Sequence, residues 1–343
     1  MTRLLAPVFI VVALLALHPA PVRVEEPPRI VAIGDVHGAI DEFAAILARA
    51  GLIDANRRWI GGRSVLVQTG DMTDRGKGMR SALDLLMSLE KQAERAGGAV
   101  HAVLGNHEIM NMLGELRDAT PQIFETFGGE AAMRDAFGPN GHYGRWLRRR
   151  PIFARLDGTV FMHAGIGPDY IKPSLEELSK NVRREIEEWD QGVRWLVKEK
   201  RLPGYAEPRA AMEAARAEIE QINALAEAGR ATPDMARTAQ LLLPVANVGT
   251  SSLFAENGPM WFRGFALWED EPARGLIDQL LERHGVKRFV TGHTPQRGGT
   301  ITERFPGKLF LIDTGMLGRP SFPNGRPSAL VIEGDKATPL YLQ

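Results

Sequence analysis

The stretch Arg29 to Gly38, RIVAIGDVHG, opens as a short apolar, β-branched run and breaks at Gly34 into the polar cluster Asp35-Val36-His37-Gly38. The same two-part pattern returns twice. Ser64 to Thr69 runs into Gly70-Asp71-Met72-Thr73-Asp74-Arg75-Gly76, and Ala99 to Leu104 runs into Gly105-Asn106-His107-Glu108. Between the first two runs Ile40, Phe43, Ile46, Leu47 and Ala50 recur at helical spacing and stop at Gly51. A second helix is expected from Met79 to about Ala96, ahead of Gly97-Gly98. Strand, cluster, helix in repetition predicts a layered α/β fold with crossover helices, whose chemistry collects at the carboxyl ends of the strands.

Composition limits what that chemistry can be. The 343 residues are 44% hydrophobic and 24% charged, values of a globular chain that needs no covalent staples. Lys+Arg 42 against Asp+Glu 42 gives no net charge, so the basic footprint of a nucleic-acid binder is missing and no nucleic-acid partner is expected. With zero cysteines there is no disulfide scaffold, thiolate metal site or cysteine nucleophile. Any metal must use His, Asp, Glu or Asn.

Working outward, Arg3 followed by the apolar run Leu4 to Leu17 has the order of a secretory signal and falls short of the ~20 residues that span a bilayer. Residues 1–22 are therefore expected to be a signal peptide, exporting the chain to the periplasm, with an uncleaved membrane anchor as the alternative. Past the third cluster the chain changes in kind. Ser174 and Glu177 make a capping box, and Leu175, Leu178, Val182, Ile186, Trp189, Val193 and Leu196 share one helical face. Two more helices follow, one carrying Met212, Ala215, Ile219, Ile222 and Ala226, one starting at Thr232-Pro233. The chain thus divides into a core segment 29–172, a helical insertion 173–255 and a second core segment 256–343. Strands are expected in the latter at Arg288 to Thr291, Leu309 to Ile312 and Ala329 to Ile332. The basic run Arg145-Trp146-Leu147-Arg148-Arg149-Arg150 reads as a solvated helix end in preference to a patch that steers acidic substrates.

Asp35 and His37, two apart in a turning segment flanked by glycines, can face one ion. His163-Ala164-Gly165 after Thr159 to Met162, and Gly292-His293-Thr294 after Phe289 to Thr291, add two more histidines just past strands. Four of the eight histidines occupy these clusters, while His18, His101, His142 and His284 sit elsewhere.

GDVHG, GDMTDRG, GNHE, HAG and GHT, in this order, resemble the metallophosphoesterases of the phosphoprotein phosphatase branch. The longer strings LGNHEIMNMLGE, GPMWFRGFA and VTGHTPQ are similar to the Shewanella-like bacterial protein phosphatases, over about Arg29 to Gly318. The resemblance implies a four-layer α/β/β/α sandwich with the helical insertion as a cap, and a metal-dependent phosphatase with two divalent ions, Mn²⁺ before Fe or Zn²⁺. Asp35 and His37 would bind the first ion, Asn106, His163 and His293 the second, and Asp71 both. His107 would be the general acid, oriented by Asp74, with Arg75 and Arg263 on the phosphoryl oxygens and Glu108 supporting the metal ligands. The implied substrates are phosphoproteins or small phosphoesters, phosphotyrosine ahead of phosphoserine and phosphothreonine; Trp261, Phe262, Phe265 and Trp268 read either as core packing, the ordinary fate of large aromatics, or as walls for an aromatic ring. The HAG form is shared with symmetrical dinucleoside tetraphosphatases, the rival activity, and a catalytically inactive binding protein is the rival of another class. Leu104 ahead of the third cluster, Ala164, and the lack of the eukaryotic C-terminal tail motif leave no holoenzyme partner to infer.

Overall fold

The computed structural model describes residues 28–204 and 206–342. The expected signal segment lies outside them. In the first core segment β1 (Ile30–Ile33), α1 (Ile40–Arg49), β2 (Val65–Gln68), α2 (Met79–Arg95) and β3 (Ala99–Ala102) alternate. Four shorter helices follow: α3 (Asn106–Leu113), α4 (Pro121–Phe127), α5 (Glu130–Phe137) and α6 (His142–Leu147). The antiparallel pair β4 (Phe153–Leu156) and β5 (Thr159–Met162) closes the segment. Then come α7 (Leu175–Lys198), α8 (Pro208–Glu227) and α9 (Pro233–Ala246). The chain ends in α10 (Gly264–Leu267), α11 (Asp270–His284), β6 (Arg288–Thr291), β7 (Thr302–Arg304), β8 (Leu309–Leu311), β9 (Ser328–Glu333) and β10 (Lys336–Tyr341).

The strands form two five-stranded sheets, ordered β10-β9-β1-β2-β3 and β4-β5-β6-β8-β7. In the second, β5, β6 and β8 run parallel and the edge strands β4 and β7 antiparallel to them; in the first, β1, β2 and β3 run parallel, β9 runs antiparallel to β1, and β10 antiparallel to β9. Alternation along the strands explains how the sheets stack. Ile30, Ala32, Val65 and Val67 pack with Phe161, Val290, Phe310 and Ile312 of the second sheet, while Val31, Ile33 and Leu66 on the opposite face join the core built with the helices. Both faces of the sheet centres are covered, so β1, β2, β5, β6 and β8 are buried throughout while the edge strands are partly exposed, and the layers run α/β/β/α. Edge strand β10 was not anticipated. It contains Pro339, which a sheet tolerates only at its margin.

The three middle helices pack on one another and are tied to the core through Arg148. Its guanidinium donates to both Asp190 oxygens on α7 (2.6 and 2.9 Å) and to the carbonyls of Met112, Phe137 and Gly144. Arg150 pairs with Glu90 and lies over the Trp146 ring. The basic run is thus neither a solvated helix end nor a steering patch as a whole: two of its arginines are fastened into the structure, and Arg145 and Arg149 alone are exposed. No helix among the described residues is long and apolar enough to cross a membrane.

Candidate functional site

The carboxyl ends of β1, β2, β3, β5 and β6 meet, and with them the five sequence clusters. Asp35, His37, Asp71, Asn106, His163 and His293 are all brought together and all buried. Close approach explains the glycines before two of these residues: a Cβ at Gly105 would run into Asp71 Oδ1, and one at Gly292 into Asp35 Oδ1. His37, Asp71, Asp74, Arg75 and His293 hold the left-handed backbone region at φ of 47 to 69°. That conformation costs a non-glycine residue roughly 1 kcal/mol or more and persists where the surroundings enforce it.

The hydrogen bonds of the histidines decide where their lone pairs point. His37 Nδ1 lies 2.8 Å from Thr73 O, His163 Nδ1 3.0 Å from Thr69 O, and His293 Nε2 3.1 Å from Trp261 O. A carbonyl can only accept, so each of these nitrogens carries the proton. Burial holds all three rings neutral: His37 and His293 fall well below the usual imidazole range and His163 is pulled down to about 3. Their other nitrogens are bare acceptors, and they face further acceptors. His163 Nε2 is 2.7 Å from Asn106 Oδ1, 3.0 Å from His293 Nδ1 and 3.4 Å from Asp71 Oδ2, and His37 Nε2 is 3.7 Å from Asp71 Oδ2. Converging lone pairs of this kind repel unless a cation lies among them, and the outward N–H to carbonyl bonds are the support that metal-binding histidines use. Two groups of converging donor atoms, His37-Asp71-His107 and Asp71-His163-His293, share Asp71; in the first, the Asp74-paired His107 is set apart from the ligands and Asp35 stands beside His37. The residues therefore fit two cations bridged by Asp71, held by nitrogen and oxygen donors alone.

Asp35 stands 4.0 Å from His37 Nε2 and accepts from the His293 backbone N–H at 2.9 Å. Burial pushes its carboxyl up, and the nearby Asp313 carboxylate adds to the shift; Asp313 is itself raised to about 6 by burial. Asp313 escaped the sequence reading. It follows the β8 run as Asp313-Thr314-Gly315, the same strand-then-polar pattern, and that was the available signal.

Glu108 performs no ligand role; it fastens the loops. Its two oxygens accept from the backbone of Asp71, Met72, Thr73 and Gly105 and from the Thr73 hydroxyl, at 2.8 to 3.1 Å. His107 sits one residue past Asn106 at the start of α3, with Nδ1 2.7 Å from Asp74 Oδ2 and Nε2 3.3 Å from Arg75 Nη2. Burial alone would lower its pKa. With no metal present, the Asp71 charge and the hydrogen bond and charge of Asp74 outweigh it and push His107 up to about 9. Arg263 borders the site, with Nη1 donating to His293 O and Thr294 Oγ1. Of the four proposed aromatic walls, Trp261, Phe262 and Trp268 line a cavity of about 460 Å³ together with Phe254, Leu267 and Arg263. Phe265 does not line it: it turns into the core against Phe289. Histidines 101, 142 and 284 take no part in the cluster, and His18 is outside the described residues.

A model of the calcineurin-like phosphoesterase family matches residues 28–297. The chain belongs to that family. Within these phosphoesterases it is 32% identical over 373 residues to Shewanella-like protein phosphatase 2 of Arabidopsis thaliana, covering 93% of this chain and 80% of the relative. A symmetrical bis(5'-nucleosyl)-tetraphosphatase of Neisseria gonorrhoeae matches at 28% identity over only 45% of this chain and 50% of its own. Among solved structures, the cold-active protein-tyrosine phosphatase of a psychrophilic Shewanella species superposes with a TM-score of 0.63 at 24% identity, over 92% of this chain and 81% of the other, which establishes a common fold. This calcineurin-like phosphoesterase is a metal-dependent phosphatase of the Shewanella-like group, and the convergent cluster offers candidate ligand groups for divalent metals.

Proposed function

We propose that the chain hydrolyses phosphomonoesters on proteins with two metal ions, phosphotyrosine ahead of phosphoserine and phosphothreonine. The observation that carries this reading is the convergence of three neutral histidines and Asn106 on Asp71, with the protonated His107–Asp74 pair beside them. Asp35, His37 and Asp71 would hold one ion and Asp71, Asn106, His163 and His293 the other. Bound there, the ions supply Lewis acidity and make water a nucleophile near neutral pH. Arg75 and Arg263 fork onto the phosphoryl oxygens and hold the phosphorus in line. As the ester P–O bond breaks, His107 gives its Nε2 proton to the leaving oxygen, while Nδ1 stays hydrogen-bonded to Asp74.

Nitrogen and oxygen donors without sulfur suit Mn²⁺, Fe or Zn²⁺ better than a softer metal, and the family resemblance puts Mn²⁺ first. The phosphoprotein reading draws support from the Arabidopsis relative's name as a protein phosphatase; the phosphotyrosine preference draws it from the aromatic rings in the cavity beside Arg263, which Glu256 and Asn257 also line, and from the Shewanella structure's description as a tyrosine phosphatase. Export to the periplasm rests on Arg3 and the Leu4–Leu17 run, and fractionation of the native host tests it: cytoplasmic protein retaining its N-terminus would contradict it. For the activity, kcat/KM is compared across matched phosphotyrosyl and phosphoseryl peptides and a dinucleoside tetraphosphate. The phosphotyrosyl peptide should lead. Equal peptides would remove the tyrosine preference, and a faster dinucleotide would replace the reading with the polyphosphatase one.

A further inference from the structure

Beyond β8 the chain leaves Asp313-Thr314-Gly315, loops outward and returns at Arg326. Both ends of the loop are clasped. Arg326 N–H donates to Thr314 O at 3.2 Å, and the Thr314 hydroxyl donates to Arg326 O at 2.8 Å. Asn324 Nδ2 and Arg326 Nε reach the carbonyls of Arg297 and Gly299. Inside the loop, Phe322 N–H donates to Gly318 O at 2.7 Å. Gly315, at φ 66°, allows Phe322 to fold back, because a Cβ at 315 would lie 2.6 Å from Phe322 Cβ. The loop so closed sets the Phe322 ring over the site. It is near-parallel to the His37 ring (21°, centroids 5.9 Å apart), and Arg75 Cζ lies 5.4 Å from its centroid.

Arg75 is unusual in what does not hold it. Its guanidinium makes no ion pair with a carboxylate among the described residues, its Nε is buried without a partner there, and its polar side-chain contact is His107 Nε2, 3.3 Å from Nη2. A carboxylate anchor would fix the side chain but occupy its N–H groups and offset its charge. An aromatic face attracts the cation and leaves the in-plane donors pointing outward for a planar fork of phosphoryl oxygens. We propose that Phe322 is a positioning residue for phosphoryl recognition, holding Arg75 through its ring face in the orientation that receives the phosphoryl group. The inference rests on the reading of Arg75 as a phosphoryl ligand, and it makes the β8–β9 loop part of the active site.

The test is a double-mutant cycle on the full, metal-loaded chain, read as the inhibition constant of inorganic phosphate and as kcat/KM for a small aryl phosphate. Phe322→Ala and the packing-conserving Phe322→Leu should each weaken phosphate about two- to thirty-fold and lower kcat/KM, with metal content equal to wild type. Phe322→Trp, which keeps a π face, should stay near wild type. In an Arg75→Ala background the same Phe322 substitutions should add less than about twofold. Full additivity in the double variant, or wild-type phosphate inhibition in Phe322→Leu and Phe322→Ala, would overturn the positioning role while leaving Arg75's own role intact. Wild-type phosphate inhibition in Arg75→Ala would instead remove the underlying reading of Arg75, and the positioning role with it.

Discussion

Asp74 Oδ2 accepts from His107 Nδ1 at 2.7 Å and, on the same oxygen, from Asn111 Nδ2 at 2.9 Å. One buried carboxylate oxygen thus orients the imidazole while a side chain from the next turn of α3 orients the carboxylate. The arrangement leaves His107 Nε2 directed at the site, and the raised pKa of the ring is what favours a proton on it. A positioned general acid contributes ~10² to 10⁴ in rate, and less where the leaving group needs no proton. His107→Asn should therefore depress turnover of alkyl phosphates far more than that of nitrophenyl phosphate. Equal losses on both would make His107 a support for the metals instead.

The same pair sets an alkaline limit. His107 acts in its protonated form, which persists through neutral pH because its pKa is raised, and which is lost as pH climbs through that value. The two cations pull in the opposite sense, so for alkyl phosphates kcat should fall at or below about pH 9. Asp74→Asn removes one of the charges that raises His107 and should move this limb to lower pH. A limb that stays in place in Asp74→Asn would show that another group titrates.

Glu108 gathers four backbone N–H groups and one hydroxyl from two loops. Glu108→Gln turns an amide NH₂ toward donors and leaves buried N–H groups unpaired, at about 1–3 kcal/mol for each. Urea unfolding should show a loss of ~2 kcal/mol or more, and calorimetric titration a weaker affinity for Mn²⁺. A variant with the stability and metal affinity of wild type would contradict the fastening role.

Arg148–Asp190 joins the inserted helices to the core with little solvent access, at 14% and 8% side-chain exposure. Breaking such a pair from one side costs ~3 kcal/mol, whereas an exposed helical pair such as Arg209–Glu213 is worth under ~1 kcal/mol. Asp190→Ala should lower the unfolding free energy by several times the effect of Glu213→Ala. Similar effects would mean that the insertion is not anchored there.

The parts of this architecture that were legible in the sequence share one property: the signal is local. Apolar β-branched runs that break at glycine into Asp, Asn or His mark β1, β2, β3, β5 and β6 and the ligands behind them. Ser174 with Glu177 announces α7, and the capping box forms. What escaped depends on contacts between distant residues. Phe322 meets His37 and Arg75 only when the loop after β8 closes over β1 and β2. The short helices α4 to α6 are punctuated by Gly128, Gly129, Gly138 and Gly141, which obscure a 3.6-residue period. Arg148 sits in a run of like charge whose solvated appearance is undone by Asp190 and the Met112 carbonyl, both distant in sequence, together with the nearer carbonyls of Phe137 and Gly144.

Asp71 is the one carboxylate common to both ligand groups, so the bridging claim is tested most directly by counting metal in Asp71→Asn. Wild type and His101→Asn should each bind two equivalents of Mn²⁺ by calorimetry and by elemental analysis. Asp71→Asn should weaken both sites together and lower turnover by orders of magnitude. Two ions bound to Asp71→Asn with wild-type affinity, and an unchanged rate, would contradict the account.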